Sequence, residues 1–270
     1  MNASTPASVP YVYPLYKFAF IPQINGQLDV LAELAEGEDW AYQHTSSEFS
    51  KPILFNYLHY TFIRVSEEGK ISETGDNRFC CFNTGLVTEF QEPIYMLFEK
   101  NLQKDSPSPW YFKKFVKKGD FDLTKFPTLP ALANYFGDPS LLVFDIRLEL
   151  RANYEHIISE NIERFPEHYR SMPVYGLQNL VKGAIESAKE RVARNYKVAI
   201  PQYYHGRVQL LLPLSLEDPR TADLALVAER YDGDDADRTR FYRASTCLPL
   251  DWAYNNARLL ARPDRDWLQP

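Results

Sequence analysis

Cysteine is scarce: three in 270 residues, two of them the neighbours Cys80 and Cys81. That number builds no disulfide framework and no CxxC pair, so a reducing, cytoplasmic setting is expected. Long apolar runs are missing too. None approaches the roughly 20 residues that cross a bilayer, and residues 1–10 lack a basic segment followed by an apolar one. Neither a membrane partner nor a secretory signal is expected. With no GxGxxG and no GxxxxGK[ST], the chain offers no dinucleotide or P-loop phosphate cradle. It has no GxSxG elbow and no cysteine with a matching histidine, which leaves a Ser or Cys nucleophile without support. A basic excess is also lacking. Net charge is −6 and pI near 5.5, so contact with RNA or a nucleotide would need a local basic patch on an acidic body.

What is present suffices for a core: 45% hydrophobic and 14% aromatic residues. Residues 1–25, rich in Pro, Tyr and Phe from Pro10 to Pro22, are expected to form an extended N-terminal arm. Leu28, Leu31, Ala32 and Ala35 have helical spacing up to Gly37. A clearer helix follows, with Ser50 as cap, Pro52 in its first turn and Ile53, Leu54, Tyr57, Leu58, Thr61, Phe62 and Val65 on one face. Arg78–Leu86 and Pro93–Phe98 predict strands. Phe112, Phe115 and Val116 against Lys113, Lys114, Lys117 and Lys118 predict a helix over 108–119, whose lysines form a solvated face.

Further on, Leu141–Asp145 predicts a short buried strand, and Tyr154 starts a helix that Pro166 ends. Leu177, Leu180, Val181, Ala184, Ile185, Ala188 and Val192 predict the longest amphipathic helix. Lys197–Tyr204 and Arg207–Leu214 flank His205-Gly206, the length of a tight hairpin. Asp223–Tyr231 and Arg240–Cys247 predict two more strands, and Asp251–Arg262 a closing helix. No internal repeat or linker is visible. The expected fold is one α+β domain over residues 26–270, a largely antiparallel sheet with flanking helices.

Chemistry concentrates in a few places. On one continuous helix, His156, Glu160 and Arg164 would stack in one polar column. The imidazole could pass protons, the carboxylate orient it and the guanidinium grip an anion. The plain alternative is a surface ion-pair ladder. His156 and Glu160 lack further ligands, so no metal is expected. Asn83 and Thr84, beside Gly85, could bond a ligand or simply satisfy a strand-ending turn. A two-residue hairpin turn would set Tyr204 opposite Arg207 and Gln202 opposite Gln209, a face suited to a flat base or to an ordinary half-exposed sheet. Asn255 and Arg258 on the last helix are usable phosphate or base ligands. The acidic loop Asp232–Asp237 lacks the closing glutamate of a calcium loop.

Several segments, in order along nearly the whole chain, resemble the mainly bacterial domain-of-unknown-function family 3825. They are Trp40 ahead of Ile53–Leu58, Phe82–Leu86, His156–Asn161 with Arg164–Pro166, Ile200–Tyr204, Leu211–Leu214, Ala253–Leu259 and Asp266–Leu268. The resemblance implies a single module filling the protein. Through relatives joined to small winged-helix modules thought to bind RNA, it also implies RNA or nucleotides as the ligand class.

The leading expectation is an RNA- or nucleotide-acting hydrolase or transferase at a phosphoester or phosphoanhydride. His156 would be the general acid or base, Glu160 its orienter, and Arg164 and Arg258 the phosphate stabilisers. Asn83, Thr84, Asn161, Gln202, Tyr204, Arg207 and Asn255 would hold the ligand. No motif specifies a cofactor or a protein partner. The alternatives are a non-catalytic RNA- or nucleotide-binding module and a protein-interaction scaffold. Convergence separates them: an enzyme needs these groups in one cleft.

Overall fold

A computed structural model describes residues 13–43, 45–103, 106–233, 239–263 and 267–268. The backbone sorts into two compact units. The first draws on the chain up to Glu38 and on Phe49–Ala133; the second takes Asp39–Glu48 and everything from Asn134 onward. No helix among the described residues is long and apolar enough to cross a membrane.

The first unit contains α1 (Pro14–Phe18), β1 (Ala19–Phe20), α2 (Ile24–Leu34), α3 (Pro52–Glu67), β2 (Ser72–Glu73), β3 (Phe79–Val87), β4 (Pro93–Lys100) and β5 (Trp110–Lys117). Of the expected arm, residues 1–12 lie outside the described ones, and the rest holds α1 and β1. Helix α3 follows its apolar period, with Ile53, Leu54, Leu58, Phe62 and Val65 buried. Its N-cap is Lys51 without a side-chain bond; Ser50, expected there, donates its N–H to Asn25 Oδ1 at 2.9 Å.

Residues 110–117 form a strand, not the expected helix. The reason is a bulge. Phe98 faces Phe112 and Leu97 faces Lys114, so Lys113 is an extra residue. It breaks the period of two and leaves Phe112 and Phe115 on one face, three apart, with ring centres 5.0 Å from each other. That spacing imitates a helix. The sheet order is β1-β5-β4-β3-β2, antiparallel except for the β1–β5 pair. One face packs Phe82, Phe98 and Phe112 in a ring chain that continues to Phe62 of α3. The other buries Cys81, Tyr95, Leu97 and Val116 with Leu123 and Phe126.

The second unit contains β6 (Glu149–Ala152), α4 (Tyr154–Ser159), α5 (Glu167–Arg170), α6 (Val174–Arg194), β7 (Ile200–Tyr204), β8 (Arg207–Leu214), β9 (Leu224–Tyr231), β10 (Phe241–Leu248) and α7 (Leu250–Arg258). The strand expected at Leu141–Asp145 is absent. Asp138 accepts the Ser140 N–H at 2.9 Å and starts a 3-10 turn over Pro139–Leu142 instead. Sheet order is β6-β10-β9-β8-β7, antiparallel except for β6–β10. Leu210, Leu212, Leu226 and Ala228 form a core with Leu177, Val181 and Ile185 of α6 and with Ile157 and Ile158 of α4. Side chains alternate across a sheet, so Gln202, Gln209, Leu211 and Val227 point to the opposite face. Helix α7 packs there, on β7 and β9.

The α+β class and the antiparallel character therefore hold, spread over two sheets. In each unit one strand is followed by helices and then by four successive antiparallel strands, the last of which lies parallel to the first; α1 precedes this series in the first unit and α7 follows it in the second. In each, that last strand carries one bulge, at Lys113 and at Ser245. The topology repeats where the sequence does not.

Candidate functional site

Helix α4 is capped at its start by Asn153, whose Oδ1 accepts the His156 N–H at 3.2 Å. It stops at Ser159, well before Pro166. Asn161 causes this: its Nδ2 donates to the His156 carbonyl at 2.8 Å, capping the helix from its own side chain. The chain then tightens into a 3-10 turn, Ile162–Arg164. The expected three-residue column is thereby broken. His156 Nδ1 and Glu160 Oε1 do pair at 2.9 Å, but their side chains are 38% and 67% exposed. Water screens such a pair and leaves it a small energy.

Arg164 goes elsewhere. Its Nη1 donates to Thr246 Oγ1 at 2.8 Å and to the Cys247 carbonyl at 2.7 Å. The Thr246 hydroxyl donates in turn to Asn161 Oδ1 at 3.0 Å. Thr246 is available because Ser245 is the extra residue of the β10 bulge. The insertion sets Thr246 opposite Val227, on the face that α7 covers, while Ala244 stays on the α6 face. The guanidinium carbon of Arg164 also lies 5.6 Å from the ring centre of Trp252, on the first turn of α7.

Arg164 borders a cleft of about 410 Å³ whose walls also include Thr45, Arg170, Asp223 and Leu250. Arg170 donates through Nε to the Phe165 carbonyl at 2.8 Å and pairs with Glu163 at 3.3 Å. Asp223 is engaged as well, its Oδ2 accepting the Leu216 N–H at 2.8 Å. At the start of α7 the wholly buried Asp251 accepts the Thr45 hydroxyl at 2.8 Å and the Gln43 N–H at 3.3 Å. Segment Asp39–Glu48 is thus tied to α7. Asn255 and Arg258 serve the same attachment: Asn255 Nδ2 donates to the Tyr42 hydroxyl, and the Arg258 guanidinium stacks 5.1 Å from the Trp40 ring centre.

The hairpin has the expected register, Gln202 opposite Gln209 and Tyr204 opposite Arg207. Positive φ at His205 and Gly206 makes its two-residue turn. Gln202 is nevertheless buried under α7, donating to Gln209 Oε1 at 2.9 Å and accepting from Asn256 Nδ2 at 3.1 Å. Arg207 pairs with Glu229 at 2.5 Å, and Tyr204 is exposed at the tip. His156, on the α6 side, and Gln202, on the α7 side, are separated by the sheet itself.

Asn83 and Thr84 belong to the first unit. They lie inside β3, not at its end, at a bulge against β4. Both are buried and used locally: Asn83 Oδ1 accepts the Gly85 N–H at 2.9 Å, and Thr84 Oγ1 donates to the Ile94 carbonyl at 2.7 Å. Burial pushes the Cys81 and Cys247 thiols up to about 12, and Cys80 higher still. None supplies a thiolate near neutral pH. Among the described residues no three His, Cys, Asp or Glu side chains are grouped to hold a metal ion.

A family model matches residues 31–267. The chain belongs to the family described as a domain of unknown function, DUF3825. No curated protein and no solved structure matches it. In this DUF3825 chain the structure joins Asn161 and Arg164 of the expected set, and sets Gln202, Asn255 and Arg258 around α7. His156 meets the first group only through its backbone carbonyl, which Asn161 caps, while its side chain pairs with Glu160. Sequence reasoning missed Thr45 and Arg170 on the cleft wall and Thr246, which bonds Arg164, because tertiary contacts without a local pattern bring each of them there. The acidic loop at Asp232–Asp237 falls largely outside the described residues.

Proposed function

We propose that this protein is a non-catalytic binding module that holds a phosphate-bearing ligand of the nucleotide class in the Arg164–Arg170 cleft. One observation carries this reading: the Arg164 guanidinium is fixed by Thr246, the Cys247 carbonyl and Trp252 beside the first turn of α7. A guanidinium held in place loses little freedom when it meets a phosphate, which it can bond in a fork. The first N–H groups of α7 have no intrahelical acceptor and favour negative charge. Both acids of the cleft, Glu163 and Asp223, are already occupied by Arg170 and the Leu216 N–H. Its volume of about 410 Å³ suits a small ligand.

Acid–base work by His156 would instead need reacting groups within about 3 Å of one substrate atom. With the sheet between His156 and Gln202, one substrate cannot be served by both. Thermal shift with inorganic phosphate and nucleoside mono-, di- and triphosphates tests the proposal. A ligand at about 100 times its Kd should stabilise the protein by about 2.7 kcal/mol. Arg170→Gln and Arg164→Lys should lose that shift, while His156→Ala keeps it. Equal shifts in all four proteins would refute the site, and turnover abolished by His156→Ala would restore the enzyme.

A further inference from the structure

The Arg164 cleft carries one positive and one negative charge that the protein itself does not cancel. Its charged walls are Arg164, Arg170, Glu163 and Asp223. Arg170 and Glu163 neutralise each other at 3.3 Å. Arg164 has only neutral partners: the Thr246 hydroxyl, the Cys247 carbonyl and the Trp252 ring. Among the described residues Asp223 forms no ion pair. Its Oδ2 accepts the Leu216 N–H at 2.8 Å, and its own N–H donates to the Leu214 carbonyl at 2.8 Å. One N–H takes only one of the roughly four lone-pair sites of a carboxylate, so Asp223 keeps capacity to accept.

Opposite charges in one cleft attract each other, yet these stay unpaired because each is anchored to its own wall. Thr45 adds a second acceptor. Its hydroxyl hydrogen goes to the buried Asp251 carboxylate at 2.8 Å, so toward a ligand the oxygen can only accept. A cleft with a fixed cation in one place and bare acceptors in another is complementary to a dipolar ligand. Because both ends are held in the free protein, little order has to be created on binding.

We infer that the cleft selects a phosphate ester that also carries an ammonium group, with Asp223 as the residue that recognises the ammonium. An ammonium has donors enough for the Asp223 carboxylate and the Thr45 oxygen together. Phosphate on Arg164 is taken from the reading above; the ammonium is the addition. A basic patch without such a partner behaves in the opposite way and prefers the more negative of two esters.

Isothermal titration calorimetry with ethyl phosphate and O-phosphoethanolamine separates these behaviours. The two share a phosphate and an ethyl chain, and the amine lowers the net charge of the second. O-phosphoethanolamine should still bind about tenfold more tightly, as a charged hydrogen bond gained in the cleft requires. Asp223→Asn keeps an oxygen for the Leu216 N–H and removes the charge. It should abolish the preference and leave ethyl phosphate bound at least as tightly as before. Phosphatidylethanolamine and phosphatidylcholine vesicles, sedimented with the protein, tell a lipid head group from a free ester. Retention on the first alone names the head group, no retention on either names a soluble ester, and recognition of the ammonium stands in both cases.

Equal affinity of the unmodified protein for the two esters overturns the inference, and that measurement needs no variant to fold. A preference that survives Asp223→Asn overturns it too. Where neither ester binds, the phosphate reading falls as well. Where ethyl phosphate binds and the amine adds nothing, that reading stands and only the ammonium is lost.

Discussion

The two units build one topology from different side chains. Aligned through their bulges, Phe98 and Phe112 of the first correspond to Ala228 and Ala244 of the second. At these paired positions the layer carries rings in one and alanines in the other. Strand order and a single inserted residue are shared, while core volume is met separately by each covering helix. Packing at fixed total volume is what a fold needs, and the shape of each piece is free to vary. The outer faces differ in kind. α7 covers the second sheet with an amide network, whereas Leu123 and Phe126 cover the first with an apolar cluster that Phe79 joins.

Three experiments press on this contrast. The largest effect is expected from Phe112→Ala, at about 3–5 kcal/mol by denaturant unfolding, against about 1–3 kcal/mol for overpacking by its counterpart Ala244→Phe. An Ala244→Phe variant of unchanged stability would mean that the second core has room for a ring, and the correspondence would fail.

Next comes acid. The first unit buries a titratable group on its helix, His59, while the buried residues of α6 are all apolar. Neither His59 ring nitrogen has a hydrogen-bond partner among the described residues, and its rings neighbours are Tyr13, Phe55 and Tyr60. Burial lowers its pKa from 6.5 to about 4. Between those values the unfolded chain takes a proton that the folded one refuses, so stability falls as pH drops through that window. At about 1.36 kcal/mol per unit the loss is about 3 kcal/mol. His59→Phe should abolish that acid lability, and equal melting curves at pH near 5 for both proteins would disprove it.

The smallest effect belongs to the second unit. A double-mutant cycle of His156→Ala and Glu160→Ala should give a coupling below about 1 kcal/mol. A larger coupling would show that the exposed pair is held by something other than its own helix.

Local signals were read well. α3 and α6 follow their apolar period, and the His205-Gly206 turn set its register from two residues of turn chemistry. Where one distant contact changed the outcome, the pattern misled. Lys113 turned a strand into an apparent helix, and the Asn161 side chain ended α4 at Ser159, well before Pro166. The site was half legible. The His156–Glu160 pair and the Gln202–Gln209 pair follow from spacing, but their separation by a sheet does not. Arg164 was chosen for its chemistry, and its partners Thr246 and Cys247 stand more than eighty residues away.

The amino-acid order by itself determined the helices, most strands, the absence of reactive thiol patterns and the membership in a family. Those depend on periods of a few residues and on turn chemistry, which neighbours along the chain decide. Only the tertiary structure decided that there are two sheets, that Arg164 leaves His156, and that residues 110–117 form a strand. Such features rest on register between segments far apart, where a single bulge moves a side chain to the other face.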